Sequence, residues 1–239
     1  MPGENEGWWV VPRLWPGRTV YIIGGGPSLK LAAGLPENES NPQVIFPAVS
    51  DLLRPIHNQR VIGVNTAYLL GPFVDICYFG DYPWYDFHRE RLQSFPGLKV
   101  TCSSKLAGVP GVKAIRRGRK GLDLRPDFIT WGANTGASAI NLALHLGAAR
   151  IFLLGFDGGN PKAGHFNWHD EHRRFRAEQP PELERRNYQR FIVHGFQPIA
   201  EAIKTYGLEV VVLNANPDSA IECFPKVSLE DVLGRGCDV

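Results

Sequence analysis

The sequence predicts an α/β protein, a single Rossmann-like domain over residues 1–239 with a mostly parallel sheet and helices on both faces. Short apolar runs of strand length alternate with helical segments along the chain. Residues 151–156 form an uninterrupted apolar run, which is typical of a strand covered on both faces. The first apolar run ends in three glycines and a helix start, the opening of a phosphate-binding α/β unit.

Composition and charge narrow the class of protein. A hydrophobic fraction of 44% and a charged fraction of 21% exclude a largely disordered chain. The net charge of +2 excludes a strongly basic nucleic-acid coat, although not a local basic groove. No apolar run approaches the roughly 20 residues of a membrane span, so no membrane partner is expected. The four cysteines form no CxxC pair, which favours reduced core thiols and a cytoplasmic location.

Strands in the first half are predicted from β-branched and aromatic runs between turn residues. Residues 1–17, rich in Trp, Pro and Gly, are expected to form an arm packed onto the domain. Residues 34–58 indicate a loop with a short helix near 49–53, and residues 105–130 look irregular. The four strands expected here are 19–23, 60–64, 75–79 and 98–102.

The second half alternates in the same way. A helix is expected from 137 to 146, with Gly147 as its stop, followed by the strand that begins at 150. Residues 158–181 are polar, His-rich and bounded by prolines, which suggests a mobile active-site insert. The remaining elements expected are a helix over 182–206 broken near Gly195 or Pro198, a strand over 208–213 and a helix over 228–233.

Two glycine-containing turns precede predicted helices. In the first, glycines allow close backbone approach and a helix start favours an anion, so the turn is either a nucleotide cradle or a tight structural turn. Its residues are Gly24, Gly25, Gly26, Pro27 and Ser28. The second turn offers short polar groups to a phosphate or ribose, although an ordinary helix cap would have the same residues. Its residues are Asn134, Thr135 and Gly136.

Polar residues also follow three predicted strands. Asn65, Asp81 and Asp157 stand at carboxyl ends, where ligands bind in open α/β sheets. Turn chemistry would account for the same residue types.

The predicted insert carries His165, His169 and His172 near two carboxylates. These imidazoles suit a general base or substrate contact, a divalent metal site, or a solvated loop. A second charged segment, the basic cluster over 116–120, suits a phosphate contact but better fits a solvated face.

Several of these blocks carry a resemblance to known families. They are GGGPSLK at 24–30, the V-N strand end at 64–65, N-T-G at 134–136, LLGFD at 153–157 and CFPKVSLE at 223–230. The chain resembles the bacterial sialyltransferase family, which opens with a GNGPSLK-type loop, and the MptE-like pterin pyrophosphokinase family, which opens with GxGPSL. It is more similar still to uncharacterised bacteriophage proteins that are often labelled morphogenetic.

The resemblance implies a nucleotide-binding transferase, with glycosyl transfer from a nucleotide-activated sugar as the first expectation. In sialyltransferases the matching loops hold a cytidine nucleotide and an insert histidine acts as base, here His165 or His169, with Asp157 as a further catalytic candidate. Gly25 replaces an Asn of that family's loop.

Two alternatives differ in class. One is a pyrophosphokinase using magnesium and ATP, with Asp81 and Asp157 near the phosphates. The other is a non-catalytic phage assembly or host-interaction protein. In a phage setting the protein would work in the host cytoplasm, and the acceptor could be a modified DNA base.

Overall fold

The computed structural model describes residues 7–132, 134–159, 167–169 and 181–234. Its main sheet has seven strands within these ranges, and every neighbouring pair is parallel. The strands are β1 (Thr19–Ile23), β2 (Arg60–Val64), β3 (Ile76–Phe79), β4 (Leu98–Thr101), β5 (Val112–Ala114), β8 (Arg150–Leu154) and β9 (Val211–Asn214). Two further strands, β6 (Arg116–Arg117) and β7 (Phe128–Ile129), pair only with each other.

Helices cover both faces of the sheet. They are α1 (Ser28–Ala32), α2 (Pro42–Leu52), α3 (Tyr82–Gln93), α4 (Thr135–Leu146), α5 (Pro181–Phe191), α6 (Gln197–Thr205) and α7 (Leu229–Gly234). Alternate strand residues enter opposite cores, since Ile22 packs with α4 and α6 whereas Tyr21 and Ile23 pack with α1, α2, α3 and α7. This arrangement confirms the predicted Rossmann-like α/β fold.

The strand order is β5-β4-β3-β2-β1-β8-β9. The chain therefore builds the sheet outward from β1 in one direction and returns to add β8 and β9 on the other side. Ile23 of β1 lies opposite Gly63 of β2 and Leu154 of β8. The direction of building changes between β1 and β8. Open α/β sheets bind ligands in the crevice that such a change leaves at the carboxyl ends of the two strands.

Several element bounds differ from the sequence prediction. α2 begins at Pro42, well before the short helix expected near 49, because the Asn41 side chain accepts a hydrogen bond from the Gln43 N–H at 3.0 Å and caps the helix. α3 was not predicted. β5 lies inside the segment expected to be irregular and adds an edge strand to the sheet. The predicted strands 19–23 and 60–64 are confirmed, as is the helix stop at Gly147, whose φ is 100°.

The long helix of the second half is interrupted where expected. α5 ends at Phe191, a π-helical turn covers Ile192–Phe196, and α6 begins at Gln197. The break near Gly195 is therefore confirmed.

Residues 7–17 run along the domain. Trp9 N–H donates to the Ala114 carbonyl at 2.7 Å, and Trp15 N–H donates to the Leu146 carbonyl at 2.7 Å. No helix in the described part of the chain combines the length and the apolar character that crossing a bilayer requires.

Candidate active site

The glycine turn after β1 is held by the loop that follows β8. The Gly24 N–H donates to the Leu154 carbonyl at 2.8 Å, and the Gly26 N–H donates to the Gly155 carbonyl at 2.7 Å. Two of the N–H groups expected to face a phosphate are therefore bonded within the protein.

Glycine is required in this turn by close contact with other parts of the chain. A Cβ on Gly24 would stand 2.8 Å from the Gly155 carbonyl oxygen, and one on Gly26 would stand 2.6 Å from the same atom. A Cβ on Gly25 would stand 2.6 Å from Oδ1 of Asn167. Since real Cβ atoms do not approach so closely, any side chain here would push these segments apart.

Asp157 lies at the start of α1 and is 7% exposed. Its Oδ2 accepts from the Ser28 N–H at 2.8 Å, and its Oδ1 accepts from the Ser28 hydroxyl at 2.6 Å. The Asn216 side chain donates to the same Oδ1 at 2.7 Å. The carboxylate thus takes the place that an external anion would have at this helix start, and it ties the glycine turn to the segment after β9.

Within the predicted insert, residues 158, 159, 167–169 and 181 are described, and His165 and His172 lie outside the described residues. Trp168 is fully buried, and its backbone N–H and indole Nε1–H donate to the carbonyls of Gly25 and Gly24 at 2.7 and 2.8 Å. His169 is 3% exposed and lies against the rings of Trp168 and Phe46. These contacts anchor the described part of the insert on the glycine turn.

The glycine-containing turn at 134–136 and the turn after β1 contact the same aromatic ring, that of Phe156. Asn134 caps α4, because its Oδ1 accepts from the Ala137 N–H at 3.0 Å. A Cβ on Gly136 would lie 2.8 Å from Cε1 of Phe156, and one on Gly24 would lie 2.9 Å from Cε2 of the same ring. The two predicted phosphate-type turns therefore lie on either side of Phe156.

Asn65 has a special backbone at the end of β2. Its φ is 52°, and it is the one non-glycine residue with positive φ among the described residues. Asn tolerates this left-handed region better than most residues, yet the conformation still costs free energy and is found often at functional sites. The side-chain amide of Asn65 makes no hydrogen bond to any other residue that the structure describes.

The carboxyl end of β3 adjoins the start of α4. A Cβ on Gly80 would lie 3.0 Å from the Thr135 hydroxyl oxygen and 2.7 Å from the Trp131 ring. Asp81 follows at the N-cap position of α3, but its side chain makes no capping hydrogen bond. The structure thus brings Asn65, Gly80 and Thr135 to the same edge of the sheet as the glycine turn.

A fourth histidine, which the sequence reasoning missed, lies beside this edge. The His194 side chain is exposed on the π-helical turn, and its backbone carbonyl packs against Gly132. Asn134 Nδ2 donates to the Phe191 carbonyl at 3.3 Å, which ties that turn to α4. The signal in the sequence was the predicted break at Gly195, since π-helical turns are frequent at functional sites.

The cysteine thiols do not contribute to the chemistry of the site. Cys77 and Cys102 are free and buried, and burial raises the pKa of both thiols. They are therefore inert core residues. Among the described residues, no group of three or more His, Cys, Asp and Glu side chains could hold a metal ion.

The fold and this edge define a Rossmann-like α/β protein with polar residues gathered at the carboxyl edge of its sheet, beside the topological switch point. A comparison of the sequence with protein-family models finds no match, and neither does a comparison with curated protein sequences. Among solved structures, the chain is similar to the sialyltransferase CstII from Campylobacter jejuni in complex with cytidine-5'-monophosphate. The TM-score is 0.47 and the identity 15%, over 89% of this chain and 86% of that one.

Two further solved structures show a similar chain trace. One is the sialyltransferase CST-II with a trisaccharide acceptor and CMP, with a TM-score of 0.45 and 15% identity over 88% of this chain and 86% of that one. The other is an alpha-2,3-sialyltransferase from Campylobacter jejuni in apo form, with a TM-score of 0.41 and 14% identity over 88% and 80%.

Proposed function

We propose that this protein is a nucleotide-binding transferase, a glycosyltransferase whose donor is a nucleotide-activated sugar. The observation that carries the proposal is the meeting of the two glycine-containing turns on Phe156, at the carboxyl edge of a parallel sheet. Around this point lie the Asn65 amide and the Thr135 hydroxyl, which have no hydrogen-bond partner within the described part of the chain. Polar groups of this kind at a switch point are suited to a bound nucleotide.

The phosphate of the donor is best placed at the start of α4. The N–H groups of Gly24, Gly26 and Ser28 are already bonded to protein acceptors. By contrast, at the start of the 12-residue α4 the Asn134 side chain accepts from the Ala137 N–H, while the N–H groups of Thr135 and Gly136 have no acceptor among the described residues. Its positive amino end therefore favours the phosphate. In this proposal the glycine turn supports the cleft rather than cradling the phosphate directly.

Asp157 serves as a positioning residue in this proposal. Both of its carboxylate oxygens accept hydrogen bonds, from Ser28 and from Asn216. A carboxylate held in this way fixes the distance between the loop after β8 and the start of α1. Because Phe156 directly precedes Asp157, the same hydrogen bonds also fix the position of the Phe156 ring, which both turns contact.

The transfer step needs a base for the acceptor hydroxyl. As that oxygen attacks the anomeric carbon of the donor, its proton passes to a histidine and the bond from this carbon to the phosphate oxygen breaks. The nucleotide leaves with the electron pair, and the amino end of α4 stabilises the added negative charge. Of the two described candidates, His169 is buried against aromatic rings, whereas His194 is exposed beside the cap of α4. We therefore assign the base to His194.

Nucleotide binding is tested first, by thermal unfolding with cytidine, uridine, guanosine and adenosine mono- and diphosphates. A ligand at 100 times its dissociation constant adds about 2.7 kcal/mol to the stability of the folded state. We expect a clear rise in Tm with the nucleotides of one nucleobase only, and the same rise with a chelator present. A shift produced only by ATP with magnesium would favour the pyrophosphokinase alternative, in which Asp81 and Asp157 lie near the phosphates. No shift with any nucleotide would contradict nucleotide binding altogether.

The base is tested by histidine variants assayed with the nucleotide sugar that binds. We expect His194→Ala to lower kcat by about two to four orders of magnitude and to leave donor affinity within about threefold, because a base acts mainly in the transition state. His57→Gln is the control, since His57 precedes β2 and lies at the opposite edge of the sheet. If His165→Ala or His169→Ala causes the loss instead, the base lies in the insert.

A further inference from the structure

Arg117 has a fixed guanidinium at the carboxyl edge of the sheet. Its Nε–H donates to the Cys102 carbonyl at 3.0 Å, and its Nη2–H donates to the Gly80 carbonyl at 3.0 Å. The guanidinium carbon lies 4.0 Å from the centre of the Trp131 ring. Two carbonyls at the ends of neighbouring strands and one aromatic face therefore hold this charge in a single place.

Trp131 is itself held by close packing. Its ring lies so near Gly80 that a Cβ there would stand 2.7 Å from Cη2. The ring therefore packs directly on the backbone at position 80 and requires a glycine there. Arg117 and Trp131 together form a rigid pair, which we call the Arg117 platform.

The remaining donors of Arg117 suit a bidentate anion. A guanidinium has five N–H donors, and the two bonds to carbonyls use one on Nε and one on Nη2. Both hydrogens of Nη1 and the second hydrogen of Nη2 remain, and one from each nitrogen forms the fork that matches a carboxylate or a phosphate.

Arg117 also differs from the neighbouring arginines in its ion pairing. Arg116 pairs with Asp127 at 3.0 Å and Arg125 pairs with Asp123 at 2.6 Å, whereas Arg117 has no ion pair within the described ranges. Of the basic cluster over 116–120, it is the member whose guanidinium is held by two backbone carbonyls and has no ion-pair partner among the described residues.

The platform lies next to the proposed nucleotide cleft. Gly80 connects the two, since a Cβ added there would stand 2.7 Å from the Trp131 ring and 3.0 Å from the Thr135 hydroxyl oxygen. Gly80 directly follows β3, which is two strands from β1, so the platform lies roughly 10 Å along the sheet edge from the glycine turn at about 4.8 Å per strand. A second part of a bound nucleotide sugar can reach it.

We propose that Arg117, held on Trp131, is a preformed subsite for an anionic oxygen group of the substrate, either a carboxylate of a sugar or a phosphate. This inference rests on the proposed function for the identity of the substrate, but the anion subsite itself does not. The residue that directly follows Gly80, whose carbonyl Arg117 binds, is Asp81, a carboxylate. Its negative charge lowers the affinity of the platform for any anion that binds weakly, and it favours a ligand that engages the full fork.

The experiment compares three variants. Arg117→Gln removes the charge, Arg117→Lys keeps the charge and loses the fork, and Arg119→Gln is the control. Arg119 is exposed, its side chain has no hydrogen bond in the described part of the chain, and its loss changes the net charge equally. Thermal unfolding of each variant shows that it is folded before any binding is measured.

The probes are cytidine monophosphate, the same nucleotide linked to N-acetylneuraminic acid, and inorganic pyrophosphate, measured by titration calorimetry. If the anion is the sugar carboxylate, Arg117→Gln weakens binding of the nucleotide sugar about 10- to 100-fold and that of the monophosphate less than threefold. If it is the phosphate, both weaken to the same degree. In either case Arg117→Lys recovers only part of the affinity, and Arg119→Gln binds as the parent does.

The results separate this inference from the proposed function. Binding of the nucleotide sugar that is unchanged in Arg117→Gln would overturn the subsite and leave the transferase proposal standing. Binding of pyrophosphate that depends on Arg117, without binding of any nucleotide, would support the subsite and overturn the transferase proposal. Equal loss of affinity in Arg117→Gln and Arg119→Gln would reduce the effect to net charge and overturn the subsite.

Discussion

Asp157 binds Ser28 twice, through the backbone N–H and through the hydroxyl, across 129 residues of sequence. This pair joins the loop after β8 to the start of α1 at the point where the direction of sheet building changes. In nucleotide-binding turns of this type the helix start is open to an anion, whereas here a carboxylate of the chain already lies there. The donor phosphate is therefore expected at α4.

The first prediction concerns the hydrogen-bonded pair of Asp157 and Ser28. Asp157→Asn places an amide donor against donors on Ser28, so we expect the free energy of unfolding to fall by about 2 kcal/mol. Ser28→Ala should cost about 1 kcal/mol, and the double variant should cost less than the sum, because the two residues share the interaction. Urea unfolding measures all three. Asp51→Asn, in an exposed pair with Arg54, is the control and should change stability by less than about 0.5 kcal/mol. Additive losses would mean that the two side chains act independently.

Gly26 allows a sharper test of the turn. A Cβ there would stand 2.5 Å from Oδ2 of Asp157, so Gly26→Ala should displace the carboxylate and destabilise the fold by about 1–3 kcal/mol. Gly234→Ala, with no atom within 4 Å of the added carbon, should be neutral. The measurement is Tm and nucleotide affinity for both variants. If Gly26→Ala is as stable as the parent, the Asp157 carboxylate can move away from the turn without a loss of stability.

Asn65 should separate stability from binding. Asn65→Gly relieves the left-handed backbone, so the folded state should gain up to about 1 kcal/mol, while Asn65→Ala should lose a similar amount. Both variants lack the amide, and both should bind the nucleotide about tenfold more weakly. Urea unfolding and calorimetric titration measure the two effects. Unchanged affinity in both variants would remove Asn65 from the nucleotide site.

His88 predicts a pH dependence of stability. It is fully buried, its Nδ1 lies 3.0 Å from the Tyr68 hydroxyl, and its ring stacks on Trp84. Burial, with a smaller effect of the Arg91 charge, lowers the pKa of His88 from 6.5 to about 4. Between these values the unfolded chain binds a proton that the folded chain does not, so stability is full above pH 6.5 and falls as the pH falls towards 4.

The size of that loss is about 3 kcal/mol at pH 4 relative to pH 7. His88→Asn keeps an oxygen for the Tyr68 hydroxyl and removes the titration, so its unfolding free energy should fall less steeply over this range. His145, whose pKa burial also lowers, contributes a slope of the same sign in both proteins. Identical slopes in parent and variant would show that His88 is not the group responsible.

Strands β1 and β2 could be predicted from the sequence because each is a β-branched run bounded by turn residues. α3 could have been found as well, since Trp84, His88 and Leu92 are spaced four apart and are buried. Pro83 and a largely polar outer face obscured it. β5 could not be found from its own residues, because a three-residue edge strand is defined by pairing with β4 rather than by its composition.

The site shows the same limit. Glycines after a strand indicate that something approaches the backbone closely, but they do not say what. Here the approaching groups are Gly155, Asn167 and Asp157 of this chain. The base candidate His194 was missed because the insert histidines cluster in the sequence, whereas the contact with Gly132 that places His194 exists only in the folded state.

The position of β1 has a consequence for synthesis of the chain. Tyr21 pairs with Val61 of β2 on one side and with Phe152 of β8 on the other. The edge of β1 that faces β8 is therefore covered about 90 residues of synthesis later than the edge that faces β2. At a translation rate of 5–20 residues per second, this edge stays open for roughly 5 to 20 s on the ribosome. An unpaired apolar strand is a template for another chain. Expression at a temperature that slows elongation therefore lengthens the time in which two nascent copies can associate through β1.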